Sequence, residues 1–171
     1  MNQIHVYTGD GKGKTTAAFG LALRHLGRGK KVAIVQFMKP RISGEIISLA
    51  KIKEFEDKLL IRSYGNNGLI KEIKPEDIKE AQKGLKEVSR IFKQKFDLVI
   101  LDEINVALAL GLLPLKMVIK IIESRPLGTN LVLTGRRAHL KILELADLVT
   151  EMRKIKHPFD QGVKAKKGIE F

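Results

Sequence analysis

Residues 8–16 read Thr-Gly-Asp-Gly-Lys-Gly-Lys-Thr-Thr, between an apolar run holding Ile4, Val6 and Tyr7 and a helix-forming stretch from Ala17 to Leu26. Glycines at this spacing let successive backbone N–H groups turn inward as an anion cradle, and the following helix aims the positive end of its dipole at it. Lys14 has the reach for terminal phosphates, and the Thr15 hydroxyl can ligate magnesium. Gly9, Asp10, Gly11, Lys12, Gly13, Lys14, Thr15 and Thr16 are therefore the expected nucleoside triphosphate-binding residues. The loop is a variant: the spacing G-x-x-x-x-G-K-[ST] asks for glycine where this chain has Thr8. Lys12 faces either phosphate or solvent, and the sequence leaves both open.

The second chemical signal is Leu98-Val99-Ile100-Leu101-Asp102-Glu103, an apolar run ending in two carboxylates. A buried strand delivers an acid to the magnesium beside a phosphate loop in this way. Asp102 and Glu103 join Thr15 as candidate metal ligands, with Asp102 acting through a water or Glu103 coordinating directly. The same pair can instead cap the helix that begins at Ile104. Arg136 follows an apolar run and a glycine, a position from which a guanidinium stabilises charge on a triphosphate; beside Arg137 it also reads as a surface arginine. Lys14 and Arg136 are the candidate catalytic residues. The histidines His5, His25, His139 and His157 show no ligand spacing.

These groups need a scaffold that brings them to one edge. Strands are expected at Ile4–Tyr7, Val32–Phe37, Leu59–Ser63, Leu98–Leu101, Leu131–Leu133 and Leu148–Glu151. Helices are expected at Thr15–Leu26, Gly44–Phe55, Pro75–Phe92, Ile104–Leu110, Leu115–Ser124 and Leu140–Leu145. Pro75 followed by Glu76 and Asp77 suits a helix start, since proline loses no needed donor there and carboxylates favour the positive end. Alternation of apolar strands with helices implies an α/β fold, a doubly wound and mainly parallel sheet with helices on both faces. Ligands of such sheets bind at the carboxyl ends of the strands. The loop Gly9–Thr15, the segment Gln36, Phe37, Met38 and Lys39, the pair Asp102 and Glu103, and Thr134, Gly135 and Arg136 then line one crevice.

The 171 residues, 44% of them hydrophobic, suffice for one core and are too few for two ordinary domains, so 1–171 is expected to be a single domain. There is no cysteine, hence no disulfide framework and no cysteine-ligated metal. The first strand begins close to Met1, no signal peptide is read ahead of it, and no apolar run approaches the ~18–20 residues that span a bilayer. A cytoplasmic protein is the expectation. The net charge of +13 favours anionic partners. Aromatic residues at 5% with no tryptophan, and basic residues spread along the chain, argue against a nucleic-acid partner. A phosphate loop does not say which bond breaks, because kinases, hydrolases, motors and transferases share it.

Five segments together resemble the P-loop family of ATP:corrinoid adenosyltransferases, the cob(I)alamin adenosyltransferases of cobalamin biosynthesis. They are Tyr7–Thr16, Val35–Lys39 (Val-Gln-Phe-Met-Lys), Leu101–Asn105 (Leu-Asp-Glu-Ile-Asn), Leu133–Arg136 (Leu-Thr-Gly-Arg), and the tail Glu151–Phe171 with its His-Pro-Phe-Asp-Gln-Gly. The loop and acid pair are generic among P-loop proteins; the tail is the specific part. The resemblance implies a recombinase-like P-loop architecture and a reaction in which Co(I) of a reduced corrinoid attacks the ribose 5′ carbon of ATP and expels triphosphate. It further implies Mg²⁺ or Mn²⁺, ATP and corrinoid as substrates, a homodimer, a flavoprotein reductase as electron source, and a nucleotide lying reversed in the loop. Family members often carry an aromatic after a glycine between the third strand and the long helix, closing over the corrinoid. Here Leu69 aligns with it in Tyr64-Gly65-Asn66-Asn67-Gly68-Leu69, and Tyr64 is the substitute candidate on the corrinoid side. A recombinase-like ATPase or nucleic-acid-binding module is the reading from another class, and a nucleoside kinase a third.

Overall fold

The structure is a computed structural model that describes residues 2–39, 43–65 and 72–169. Six strands form one sheet: β1 (Ile4–Thr8), β2 (Val32–Phe37), β3 (Leu59–Tyr64), β4 (Leu98–Asp102), β5 (Asn130–Thr134) and β6 (Leu148–Glu151), in the order β3-β2-β4-β5-β1-β6. Every adjacent pair is parallel. All six carboxyl ends therefore share one edge, as the apolar alternation predicted.

Helices cover both faces because the inner strands are apolar on both. On β2, Val32 and Ile34 meet the cluster built by α1 (Lys14–Leu26) and α2 (Gly44–Ala50), while Ala33, Val35 and Phe37 join the opposite cluster. β4 divides in the same manner, Leu98 and Ile100 to one side, Val99 and Leu101 to the other. The second face carries α3 (Pro75–Ile91), α4 (Ile104–Ala109), α5 (Leu115–Glu123) and α6 (Leu140–Glu144). A central parallel strand buried on both sides has to read as an unbroken apolar run, and β2 and β4 are buried along their whole length.

One helix differs from expectation. The stretch predicted as Gly44–Phe55 breaks after α2 into a 3₁₀ turn at Lys53–Phe55, with Ile52 extended between them (φ −87°, ψ 101°). The break lets Ile52 and Phe55 both pack on the α1–α2 cluster just ahead of β3.

The strands leave the functional edge through tight turns. Met38 (φ 57°), Glu103 (φ 64°) and Arg137 (φ 56°), each soon after a strand end, hold left-handed backbone that non-glycine residues seldom adopt. α3 approaches the ends of β2 and β3 closely through Gly84: a Cβ there would stand 2.8 Å from Phe37 Cε1 and 3.2 Å from Tyr64 Cδ2. Gly20, within α1, faces open space. The two helical glycines thus predict opposite outcomes. Gly20→Ala should stabilise by about 0.5–1 kcal/mol through helix propensity. Gly84→Ala should destabilise by about 1–2 kcal/mol, because the buried Phe37 ring has to shift by more than that propensity offsets. Urea midpoints of the two variants check the pair.

Candidate ATP and corrinoid site

The phosphate loop lies between the end of β1 and α1, with Gly13 (φ 113°) as the left-handed residue before the helix. Lys14 is buried, and its Nζ donates to the carbonyls of Gly9 (2.7 Å) and Gly11 (2.6 Å). Burial pushes its pKa down, a direction reinforced by the charges of Arg136 and Lys39 and opposed by Glu103 and Asp10. Asp10 and Thr16 are exposed.

The departure at Thr8 has a structural reason. Its Oγ1 accepts from the backbone N–H of Ala138 (3.3 Å), tying the loop after β5 to the end of β1. The glycines at 9 and 11 answer a different demand. The chain leaving β6 crosses the loop so closely that a Cβ on Gly9 would stand 2.5 Å, and one on Gly11 2.6 Å, from the Met152 carbonyl. That carbonyl accepts from Gly11 N–H (2.6 Å), and Met152 N–H donates to the Thr8 carbonyl (2.9 Å). Lys12 turns toward the same tail, its Nζ donating to the Ile169 carbonyl (2.6 Å).

Asp102 is the hub of the edge. It is fully buried, and both of its oxygens are occupied. Oδ1 accepts from Thr15 Oγ1 (3.0 Å) and Thr134 Oγ1 (2.6 Å); Oδ2 accepts from Gln36 Nε2 (2.9 Å) and Lys39 Nζ (2.7 Å). The donors are themselves held. Ser63 Oγ donates to Gln36 Oε1 (3.1 Å), fixing the amide, and Thr134 Oγ1 accepts from the Glu103 N–H (2.9 Å). Burial alone would raise the Asp102 pKa; the Lys39 charge and the hydrogen bonds from Lys39, Thr134 and Gln36 outweigh it and hold the carboxyl below its usual range. Glu103 moves the other way. Burial pushes it up, Asp102's charge adds to that, and Lys39, Lys14 and Arg136 oppose it.

Thr15 donates its proton to Asp102, so a hydroxyl lone pair is left to face a cation, and Lys39 Nζ sits there at 2.9 Å. The same ammonium lies 3.7 Å from Glu103 Oε1. Thr15, Asp102 and Glu103 thus form a set of hard oxygens already gathered around a positive charge, the donor chemistry that magnesium takes. Among the described residues no group of three His, Cys, Asp or Glu side chains surrounds a common point, so these oxygens would complete a shell whose other ligands are phosphates and water.

Arg136 is exposed after Gly135, near enough for its charge to act on Lys14 and Glu103. Tyr64 ends β3 with its ring packed on the core beside Gly84. β3 is four strand spacings from β1, roughly 19 Å. Leu69 lies outside the described residues. Sequence reasoning placed Gln36, Lys39 and Thr134 on the crevice wall without a role; the missing fact was that β4 stands between β2 and β5. It assigned nothing to Asn105, whose fully buried amide has no hydrogen-bond partner among the described residues.

The family model described as ATP:corrinoid adenosyltransferase BtuR/CobO/CobP matches residues 1–171. The chain belongs to this family. It is 39% identical over 168 residues to the corrinoid adenosyltransferase of Escherichia coli (strain K12), covering 98% of this chain and 85% of that protein. It is 40% identical over 170 residues to the corrinoid adenosyltransferase of Pseudomonas aeruginosa, covering 97% and 82%. To corrinoid adenosyltransferase CobA of Salmonella typhimurium it is 38% identical over 169 residues, covering 98% and 85%. Among the described residues no helix is long and apolar enough to cross a membrane.

The two acids predict opposite pH responses. Asp102 ionises more readily in the folded chain, so it contributes stability above the unfolded aspartate pKa of about 3.9, lost as pH falls through its lower folded value. Glu103 ionises less readily when folded, so stability declines as pH rises from the unfolded value of about 4.3 through the raised folded one. Asp102→Asn should lose about 3 kcal/mol near neutral pH and flatten the acid limb, since it takes the negative charge from beside the Lys39 ammonium. Glu103→Gln should gain stability near neutral pH. Urea midpoints measured from about pH 3 to 8 separate the two.

Proposed function

We propose that this protein transfers the 5′-deoxyadenosyl group of ATP to the Co(I) of a reduced corrinoid, forming adenosylcobalamin or adenosylcobinamide and releasing triphosphate. Co(I) supplies the electron pair that forms the cobalt–carbon bond, and the C5′–O bond breaks with its pair leaving on triphosphate. The observation that carries the reading is the meeting, at one edge of the sheet, of the Lys14 cradle with the oxygens of Thr15, Asp102 and Glu103. Family membership supplies the chemistry that a phosphate loop alone leaves open. Co(I) is its own nucleophile, so the chain has only to bind, orient and neutralise.

The loop of residues 9–16 holds the triphosphate through its backbone N–H groups other than that of Gly11, which donates to Met152, with Lys14 turned from the Gly9 and Gly11 carbonyls to face it. Lys14 and Arg136 stabilise the charge that grows on the leaving group. Thr15 Oγ1 and Glu103 would hold Mg²⁺ or Mn²⁺, with Asp102, already accepting four hydrogen bonds, supporting them from behind. Bound there, the ion would supply positive charge to the departing triphosphate. Tyr64, with Leu69, is assigned to the corrinoid side.

A homodimer and a flavoprotein electron donor complete the proposal. Edge strand β6 exposes Leu148 (39%) and Val149 (47%) in support of the first, and the charge of +13 suits an acidic electron donor. Because ATP is a cytoplasmic substrate, the reaction is placed in the cytoplasm. The reading as a recombinase-like ATPase or nucleic-acid-binding module is not favoured by the relatives.

Anaerobic mixing with Mg·ATP and chemically reduced cobalamin should convert Co(I) into a light-sensitive alkylcobalamin with equimolar triphosphate. Lys14→Ala should slow that conversion by roughly 10²–10³. ATP yielding only ADP and phosphate would contradict the proposal.

A further inference from the structure

The two buried or half-buried amines at this edge divide the anions between them. Lys14 Nζ is spent on the Gly9 and Gly11 carbonyls, whereas Lys39 Nζ stands among Thr15 Oγ1 (2.9 Å), Asp102 Oδ2 (2.7 Å) and Glu103 Oε1 (3.7 Å). Those are the same three side chains assigned above to the divalent ion. An ammonium and a divalent cation cannot share that space, because like charges about 4 Å apart repel by several kcal/mol near a protein surface.

Asp102 is fully buried and cannot stay ionised without a cation at hand. Lys39 supplies it on a long flexible stem, and its side chain remains 29% exposed. It sits just beyond β2, after the left-handed turn at Met38, so its head can leave without disturbing the strand. Gln36 and Thr134 lack that freedom. Both are fully buried inside strands and keep their hydrogen bonds to Asp102 whichever cation is present.

We propose that Lys39 is an exchangeable counter-cation of the metal site: its ammonium holds Thr15, Asp102 and Glu103 together and is expelled when the divalent ion enters. The proposal rests on the assignment of Thr15, Asp102 and Glu103 to the metal.

The test needs no turnover. Mn²⁺ alone is titrated into the nucleotide-free protein and free Mn²⁺ is followed by electron paramagnetic resonance. Lys39→Met should bind Mn²⁺ at least roughly tenfold more tightly than the parent, since no ammonium has to be displaced. In chelator the same variant should melt lower than the parent, and Mn²⁺ should restore it. As a check independent of any variant, Mn²⁺ should raise severalfold the labelling of Lys39 by an amine reagent in the parent protein, read by peptide mass spectrometry. Lys39→Met taking up Mn²⁺ no better than the parent, or Lys39 labelling indifferent to Mn²⁺, overturns the exchange. Thr15→Ala and Asp102→Asn keep the two failures apart. If they weaken Mn²⁺ binding while Lys39→Met leaves it unchanged, only the exchange fails; if neither weakens it, the metal assignment fails and takes the exchange with it.

Discussion

A carboxylate with no exposure to water sits at the end of the central strand β4, and the surrounding sequence answers to it. An ionised carboxyl in such a place costs several kcal/mol unless hydrogen bonds and a cation replace the lost water. Asp102 receives that replacement from α1 (Thr15), β2 (Gln36), the turn beyond β2 (Lys39) and β5 (Thr134). The donors lie on both neighbouring strands and on the helix after the phosphate loop, so meeting the demand of one buried charge also fixes the relative positions of loop, acids and basic residues. Satisfied polar networks of this kind specify one arrangement where apolar packing tolerates several.

A second constraint comes from the chain leaving β6. Its Met152 carbonyl presses on Gly9 and Gly11, and the phosphate loop has its unusual glycine spacing for that reason. Glycine is needed where backbone meets backbone, while Thr8 takes on the separate task of holding the β5 loop through Ala138. The tail and the loop are therefore one structural unit although some 140 residues of chain separate them. The segment that looked most family-specific in the sequence turns out to be the one lying against the most generic motif. Any shift of the tail moves the N–H groups that would face phosphate.

Much of this was legible before the fold was known. β2 and β4 announce themselves because a strand buried on both faces has to be apolar throughout, and the chemistry-bearing residues follow strand ends because a parallel sheet puts all carboxyl ends together. What could not be read depended on strand order. The pairing of Lys39 with Asp102 requires β2 beside β4, and nothing in the local pattern of either strand states which neighbour it takes. The turn of Lys12 toward Ile169 has the same origin, since its partner is distant in sequence. The break of the helix after Ala50 was hidden because Ile52 and Phe55 keep an apolar spacing whether or not the helix continues.

The costs in this molecule are not spread evenly. Met38, Glu103 and Arg137 adopt left-handed backbone, at an expense of order 1–3 kcal/mol each, and all lie just beyond the carboxyl ends of β2, β4 and β5. At the same edge Glu103 is held where burial disfavours its charge, and Asn105 keeps a buried amide without a partner among the described residues. The opposite ends of the strands show no comparable left-handed non-glycine residues among those described. Strain and unmet polar groups persist only where the surroundings overdetermine them, and the Asp102 network provides that overdetermination here. The left-handed turn at Glu103 ends β4 directly after Asp102, so that the first acid is held by four hydrogen bonds while the second lies 3.7 Å from the Lys39 ammonium. Replacing such a residue with one better suited to its backbone would relieve the strain and remove the carboxylate that the strain serves to present.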